Sequence, residues 1–328
     1  MRWCSLAMLL ALSWPASLLA AEAVPEQYAH GRAQFVTEMV ERHGYDRAAL
    51  SSLLEDARYD PRIIAAMERP FEGKPWAQYR ALFVTPERIR AGVEYWTAQA
   101  PLLARAHSEY GVAPEIVVAI LGVETSYGAV LGRHRAIDAL TTLAFAYPPR
   151  AAFFRRELEA LLRLAREESL DLKRIAGSYA GALGQPQFIP SSYLAYAVDF
   201  DGDGDRDLWH SDADIIGSVA RYLARHDWRR DEPVAVQARV KGELPAELPI
   251  AKKGPRRPGI SPEALRRLGI EWRGAIPAQS PVTLMRLDDE HWLGLQNFFA
   301  ITRYNHSNLY AMAVFQLGEA IKTGFEDR

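Results

Sequence analysis

The chain has 328 residues, 49% hydrophobic and 24% charged, enough for one large or two modest domains with a substantial core and too apolar for a disordered or low-complexity chain. Thirty-nine Lys and Arg against forty-one Asp and Glu leave a formal charge of −2, which excludes the uniform positive field expected of a nucleic-acid-binding protein. The single cysteine, Cys4, lies in a segment expected to be removed, so the mature chain holds neither a disulfide framework nor a thiolate metal site.

Residues 1–23 read as a secretory signal. Arg2 supplies a positive start, Leu6 to Leu12 form an apolar run, and Ala21-Glu22-Ala23 offers a small-x-small cleavage site. The alternative is a membrane anchor, but Trp14 and Pro15 interrupt a run already too short for the roughly 30 Å of hydrocarbon in a bilayer. Leu19-Ala20-Ala21 is followed by Glu22 rather than cysteine, so lipidation is not expected. The mature protein is expected to start near Val24, in the soluble periplasm and without a membrane anchor.

From Phe35 to Leu103, helix formers are punctuated at Asp60-Pro61, Arg69-Pro70, Lys74-Pro75 and Thr85-Pro86, which predicts several short helices. Apolar residues recur three and four apart in Glu115 to Val123, Phe153 to Ala165 and Ile215 to Leu223, predicting a mostly helical central body. Residues 230–281 change character, with clustered prolines and the basic stretch Lys252 to Arg257 flanked by β-patterned Pro233 to Val240 and Pro281 to Leu287. That pattern predicts a small β-containing insertion, after which helix returns in Tyr310 to Thr323. The basic stretch reads as a solvated loop, or as a grip on acidic peptides.

The eight histidines form no HExxH pair, and there is no GxSxG, no phosphate loop and no GxGxxG after a strand. Zinc hydrolase, serine hydrolase, NTPase and dehydrogenase chemistry therefore have no support. Two local features remain. In the first, Ile116, Ile120 and Glu124 share one i, i+4 row, so a carboxylate ends an apolar stripe where desolvation raises its pKa toward that of a general acid. A capping or salt-bridging glutamate is the alternative. In the second, Ser178 to Tyr193 combines small residues with Gln185, Gln187 and tyrosines, a mixture of neutral hydrogen bonds and flat faces suited to a sugar. A tight helix-loop crossing would need the same glycines.

Glu124-Thr125-x-x-Gly128, the run Gly181-Ala-Leu-Gly-Gln-Pro-Gln-Phe-Ile-Pro-Ser-Ser-Tyr193, the acidic loop after it, and Thr302-Arg303-Tyr304-Asn305-His306-Ser307-x-x-Tyr310 together resemble the lytic murein transglycosylase B family of Gram-negative bacteria. The resemblance implies an α+β, mainly α fold: a lysozyme-like catalytic core, an additional helical domain and a small β-containing insertion. Mapped onto this chain, it implies a signal peptide at 1–23, an N-terminal helical domain at 24–110 and a core at 111–232 with an EF-hand-like loop at 199–214. The β-containing insertion would occupy 233–289, and 290–328 would return to the core. Glu124 matches the family's single acid/base, Ser178 and Gln187 match groups lining the cleft, and Tyr79, Tyr222, Tyr304 and Asn305 match sugar-contacting side chains. The implied partners are peptidoglycan glycan strands and other cell-wall enzymes.

Asp199-x-Asp201-x-Asp203-Gly204-Asp205 places oxygen ligands at positions 1, 3 and 5 and glycine at position 6, the spacing by which an EF-hand loop wraps calcium. Position 12 is His210 instead of glutamate, and the resemblance implies closure by Asp214. An Asp-rich turn capping the next helix is the alternative. The expected calcium is structural, and no organic cofactor is expected. Three functions follow: a lytic transglycosylase using Glu124 alone, a hydrolytic muramidase with a second carboxylate such as Asp138, and a non-catalytic glycan-binding scaffold.

Overall fold

The computed structural model describes residues 24–69, 73–252 and 254–328, so the expected signal segment lies outside the described residues. Among the described residues the α-helices come first: α1 (Glu26–His43), α2 (Arg47–Asp56), α3 (Pro61–Met67), α4 (Trp76–Phe83) and α5 (Pro86–Tyr110). The Xaa-Pro punctuation marks starts: Pro61 and Pro86 each sit in the first turn, where the missing N–H costs nothing, and Asp60 and Thr85 accept the amides of Arg62 and Arg88. The expectation of short helices throughout fails at α5, which runs for 25 residues across Pro101. The helix absorbs the proline's missing donor by a kink, with Gln99 at φ −105° and ψ 15°.

The central body holds α6 (Pro114–Thr125), α7 (Ala136–Ala146), α8 (Ala151–Glu167), α9 (Pro190–Tyr196) and α10 (Asp212–Arg225). The helix α6 is enclosed by α5, α10 and α13 (Asn308–Glu326), and Val117 to Leu121 are at most 1% exposed. Each such Val, Ile or Leu contributes about 1.5–3 kcal/mol on burial, so the helix ending at the candidate acid is among the best anchored. A two-residue antiparallel pair, β1 (His134–Arg135) with β2 (Ala176–Gly177), ties the segment after α6 to the one entering the Ser178 loop. This pair was not anticipated, because two residues carry no readable alternation.

The β-patterned segments form an antiparallel sheet in the order β4-β3-β6-β5, from β3 (Ala235–Val240), β4 (Ile270–Trp272), β5 (Thr283–Leu287) and β6 (Glu290–Gly294). A short helix, α11 (Pro262–Arg267), precedes β4. The hairpin turns at Asp288, so the sheet continues to Gly294. Val236, Ala238, Leu265, Ile270, Val282, Leu284, Leu293 and Leu295 build a small second core under α11, while Met285 and Leu287 of β5 pack into the main one. The chain then forms α12 (Gln296–Tyr304), which the periodicity did not predict, and α13, capped by the Ser307 hydroxyl on the Tyr310 amide.

Candidate active site

Glu124 occupies the last turn of α6. The helix stops because Ser126 and Tyr127 both take left-handed backbone, at φ 49° and 59°, while their amides close on Gly122 and Leu121. Glu124 is half-buried, and burial pushes its carboxyl up to about 7, opposed only by the Tyr310 hydroxyl, which donates to Oε1 at 2.6 Å. Tyr310 is 2% exposed, its hydroxyl held well above the usual phenol range by burial and by the neighbouring glutamate.

An aromatic array continues from this pair. Tyr304 stacks on Tyr310 at 6.4 Å between ring centroids, Tyr222 lies 4.8 Å from Tyr304, and Phe188 touches both Tyr222 and Tyr304. Their hydroxyls are anchored: Tyr304 donates to the Pro186 carbonyl at 2.7 Å and Tyr222 to that of Arg303 at 2.5 Å. Tyr79, on α4 and 2% exposed, lies against Phe83 and close enough to Tyr310 to disfavour its ionisation. The structure thus brings Glu124, Tyr79, Tyr222 and Tyr304 together around Tyr310; Tyr79 and Tyr222 are buried, at 2% and 6% exposed, and Tyr304 is the partly exposed ring of the three.

The other expected cleft residues serve the loop after β2. Ser178 Oγ accepts the amides of Ala180 and Ala182, which leaves its own proton to donate. Gln187 holds left-handed backbone at φ 53°, and its Nε2 donates to the Gly184 carbonyl at 2.9 Å, leaving Oε1 to accept. Asn305 caps α12 in extended backbone, directly after Tyr304. Among the described residues no hydrogen bond joins Ser178, Gln187 or Asn305 to Glu124. Sequence reasoning gave no role to Tyr310 and offered Gln185 only as a hydrogen-bonding group for a sugar. Tyr310 stood in the quoted motif without a role, and nothing in spacing shows a bond across 186 positions. Gln185 bridges two parts of the site: its backbone N–H and its Nε2 donate to the carbonyls of Leu208 and Trp209, and its backbone carbonyl accepts from the Thr125 hydroxyl.

In the acidic loop, carboxylate oxygens of Asp199, Asp201 and Asp203 lie within 4.8 Å of one another, all exposed. Three amides, from Gly202, Asp203 and Gly204, donate to Asp199 and hold its carboxyl below the usual range. Asp205 is not part of that group. Asp214 is 1% exposed and accepts the amides of Phe200 and Asp207, one on each oxygen, which closes the loop onto α10. The hard-oxygen donor set of the first three aspartates fits calcium, and their mutual repulsion is costly without a cation.

Asp138, the candidate second carboxylate, is committed elsewhere. Arg135 donates to both of its oxygens, at 2.8 and 3.0 Å, and the Arg58 amide donates at 2.9 Å. Among the described residues, no carboxylate contributes to the Glu124 shift.

A mainly helical fold that presents one half-buried acid of raised pKa beside a tyrosine array defines a glycan-cleaving protein of the lysozyme-like class. The transglycosylase SLT domain family matches residues 27–319. The chain is 43% identical to membrane-bound lytic murein transglycosylase B of Escherichia coli (strain K12) over 302 residues, 88% of this chain and 81% of that one. Its structure is similar to that of catenated lytic transglycosylase SltB1 from Pseudomonas aeruginosa, with a TM-score of 0.84 and 46% identity over 90% of this chain and 97% of the other. It is likewise similar to Escherichia coli lytic transglycosylase Slt35 in complex with calcium, with a TM-score of 0.82 and 42% identity over 90% and 94%. The chain belongs to the transglycosylase SLT family.

Proposed function

We infer that the chain is a peptidoglycan lytic transglycosylase that cleaves the β-1,4 bond between N-acetylmuramic acid and N-acetylglucosamine, forming 1,6-anhydromuramoyl ends without water. The observation that carries this reading is the acid Glu124, its carboxyl raised toward neutrality by burial, with no carboxylate among the described residues contributing to that shift. Protonated Glu124 donates to the glycosidic oxygen as the bond to C1 of the muramic sugar breaks, and that sugar's 2-acetamido oxygen takes up C1. The Glu124 carboxylate then accepts the proton of the C6 hydroxyl, whose oxygen displaces the acetamido group from C1. The products together contain the atoms of the substrate, and Glu124 ends protonated as it began. A pKa near the working pH suits a group that must both give and take a proton.

Tyr79, Tyr222, Tyr304, Asn305, Ser178 and Gln187 are the sugar contacts of this reading. The partly exposed Tyr304 ring meets a C–H face with the buried Tyr79 and Tyr222 backing it, while the Ser178 hydroxyl and Gln187 Oε1 meet sugar hydroxyls or acetamido groups. Product analysis of purified sacculi tests it: anhydromuramic ends support a transglycosylase, and reducing ends that take up oxygen-18 from labelled water overturn it in favour of a muramidase.

The Tyr310 hydrogen bond favours the carboxylate form of Glu124, so its loss leaves burial unopposed. Tyr310→Phe is expected to move the alkaline limb of kcat/KM, where the acid's proton is lost, to a higher pH than in the wild type, because burial then raises the Glu124 carboxyl unopposed. A limb that stays or falls counts against the pairing.

Calcium is the metal of this reading, held by Asp199, Asp201 and Asp203, and it supplies a local charge that organises the loop. Asp214 fastens the loop to α10 through its two amide bonds. Adding calcium to chelator-stripped protein is expected to raise the melting temperature by mass action. Asp201→Ala with Asp203→Ala should abolish the rise, and wild-type protein that melts at one temperature with and without calcium argues against the site.

Export also belongs to this reading. Among the described residues no helix is long and apolar enough to cross a membrane. An intact mass that begins near Val24 is expected, and a retained Met1 or an added lipid overturns it.

A further inference from the structure

Beside the turn that carries Tyr304 and Asn305 lies a cavity of about 510 Å³, between the start of α4, the end of β5 and the first turn of α13. Lys252, Arg286 and His306 line it, and among the described residues no carboxylate pairs with any of them. Its one lining carboxylate, Asp288, spends both oxygens on the amides of Trp76 and Ala77. The first turn of the 19-residue α13, at Ser307 to Leu309, adds the positive end of its helix. Two lining side chains also hold unpartnered buried atoms: Trp76 Nε1, a donor on a residue 2% exposed, and Asn308 Oδ1, an acceptor on a residue 6% exposed.

Unpaired cations, a lone indole N–H and a lone amide oxygen ask for a ligand that carries a carboxylate and an N–H together. A peptide has both. The geometry points to this cavity as a subsite for the acidic stem peptide of the glycan strand, read by Lys252 and Arg286. The inference rests on the peptidoglycan reading above and extends it from the sugar to its peptide. The basic stretch that begins at Lys252 would then act in recognition as well as in solvation.

The test uses the full mature chain with Glu124→Gln, so that strands bind without being cut. Peptide-bearing strands are expected to bind about threefold to tenfold more tightly than strands stripped of peptide by an amidase, as expected of two charge-assisted hydrogen bonds from exposed side chains. Adding Lys252→Gln and Arg286→Gln should bring that ratio to about one, with the melting temperature showing that the variant is folded. A ratio of one in the parent, or a ratio that survives both substitutions, overturns the subsite. Inorganic phosphate at millimolar concentration that binds the cavity while a peptide-free strand is held in the cleft marks a generic anion site, and also overturns it. The wild-type chain cutting neither strand would instead sink the transglycosylase reading, so the two failures are distinct.

Discussion

Glu124→Gln is expected to abolish glycan cleavage while making the protein more stable above neutral pH. The amide keeps the shape and still accepts from Tyr310, but it can neither give nor take a proton, so turnover falls by at least about a hundredfold. The stability gain follows from the raised pKa. Burial lifts the folded-state value from 4.5 to about 7, so the folded chain holds this proton more tightly than the unfolded one. Stability therefore falls as pH rises from the first value to the second, and above both the folded state carries the full cost of a buried carboxylate. Glutamine removes that cost, of order 1–3 kcal/mol after allowing for partial exposure, or a few degrees in a chain of this size. Thermal melts of both proteins at pH 4 and pH 8 check it. The variant's advantage should appear at pH 8 and shrink at pH 4, and an advantage that is absent at pH 8 would falsify the burial argument.

The second large effect lies at Gly184, in the run between the acid and the acidic loop. Its backbone has φ +65°, and a Cβ there would stand 2.5 Å from the Leu208 carbonyl oxygen. That oxygen accepts the Gln185 amide at 2.8 Å. Gly184→Ala must therefore bear left-handed strain and break or displace this hydrogen bond, together about 2–4 kcal/mol. Gly202 is the comparison: its φ of +83° is equally left-handed, but nothing lies within 4 Å of its added Cβ. Gly202→Ala should cost only the strain, about 1–2 kcal/mol. Urea unfolding of both variants in one buffer checks the difference, and equal losses would show that the close approach to Leu208 is unimportant.

The helices that were legible in the sequence are those with one apolar face, such as α8 and α10, and the buried α6, whose row ending in Glu124 was read from spacing alone. Spacing could not show that α5 continues past Pro101, because a proline halts a helix only when the lost bond and the ring clash are not relieved by a local kink. Nor could it show α12, whose nine residues come too soon after β6 for its period to register. At the site, the acid was legible from its place at the end of an apolar row, whereas Tyr79, Tyr222 and Tyr304 came only from the family resemblance. The roles of Tyr310 and Gln185 were not legible, because each acts through bonds to chain that is distant in sequence and meets it only when α6, α13 and the acidic loop are packed together.

The two-sided sheet has a consequence for how the molecule opens. Leu284 of β5 faces the small core under α11, while Met285 and Leu287 face the helical body. Backbone amides in the β3-β6-β5 ladder can meet solvent only when both cores loosen, so their deuterium uptake should follow the slow, global opening of the chain. The amides of α11 and the edge strand β4 depend on the small core alone. They should exchange sooner, in an opening that leaves α6 and its glutamate in place.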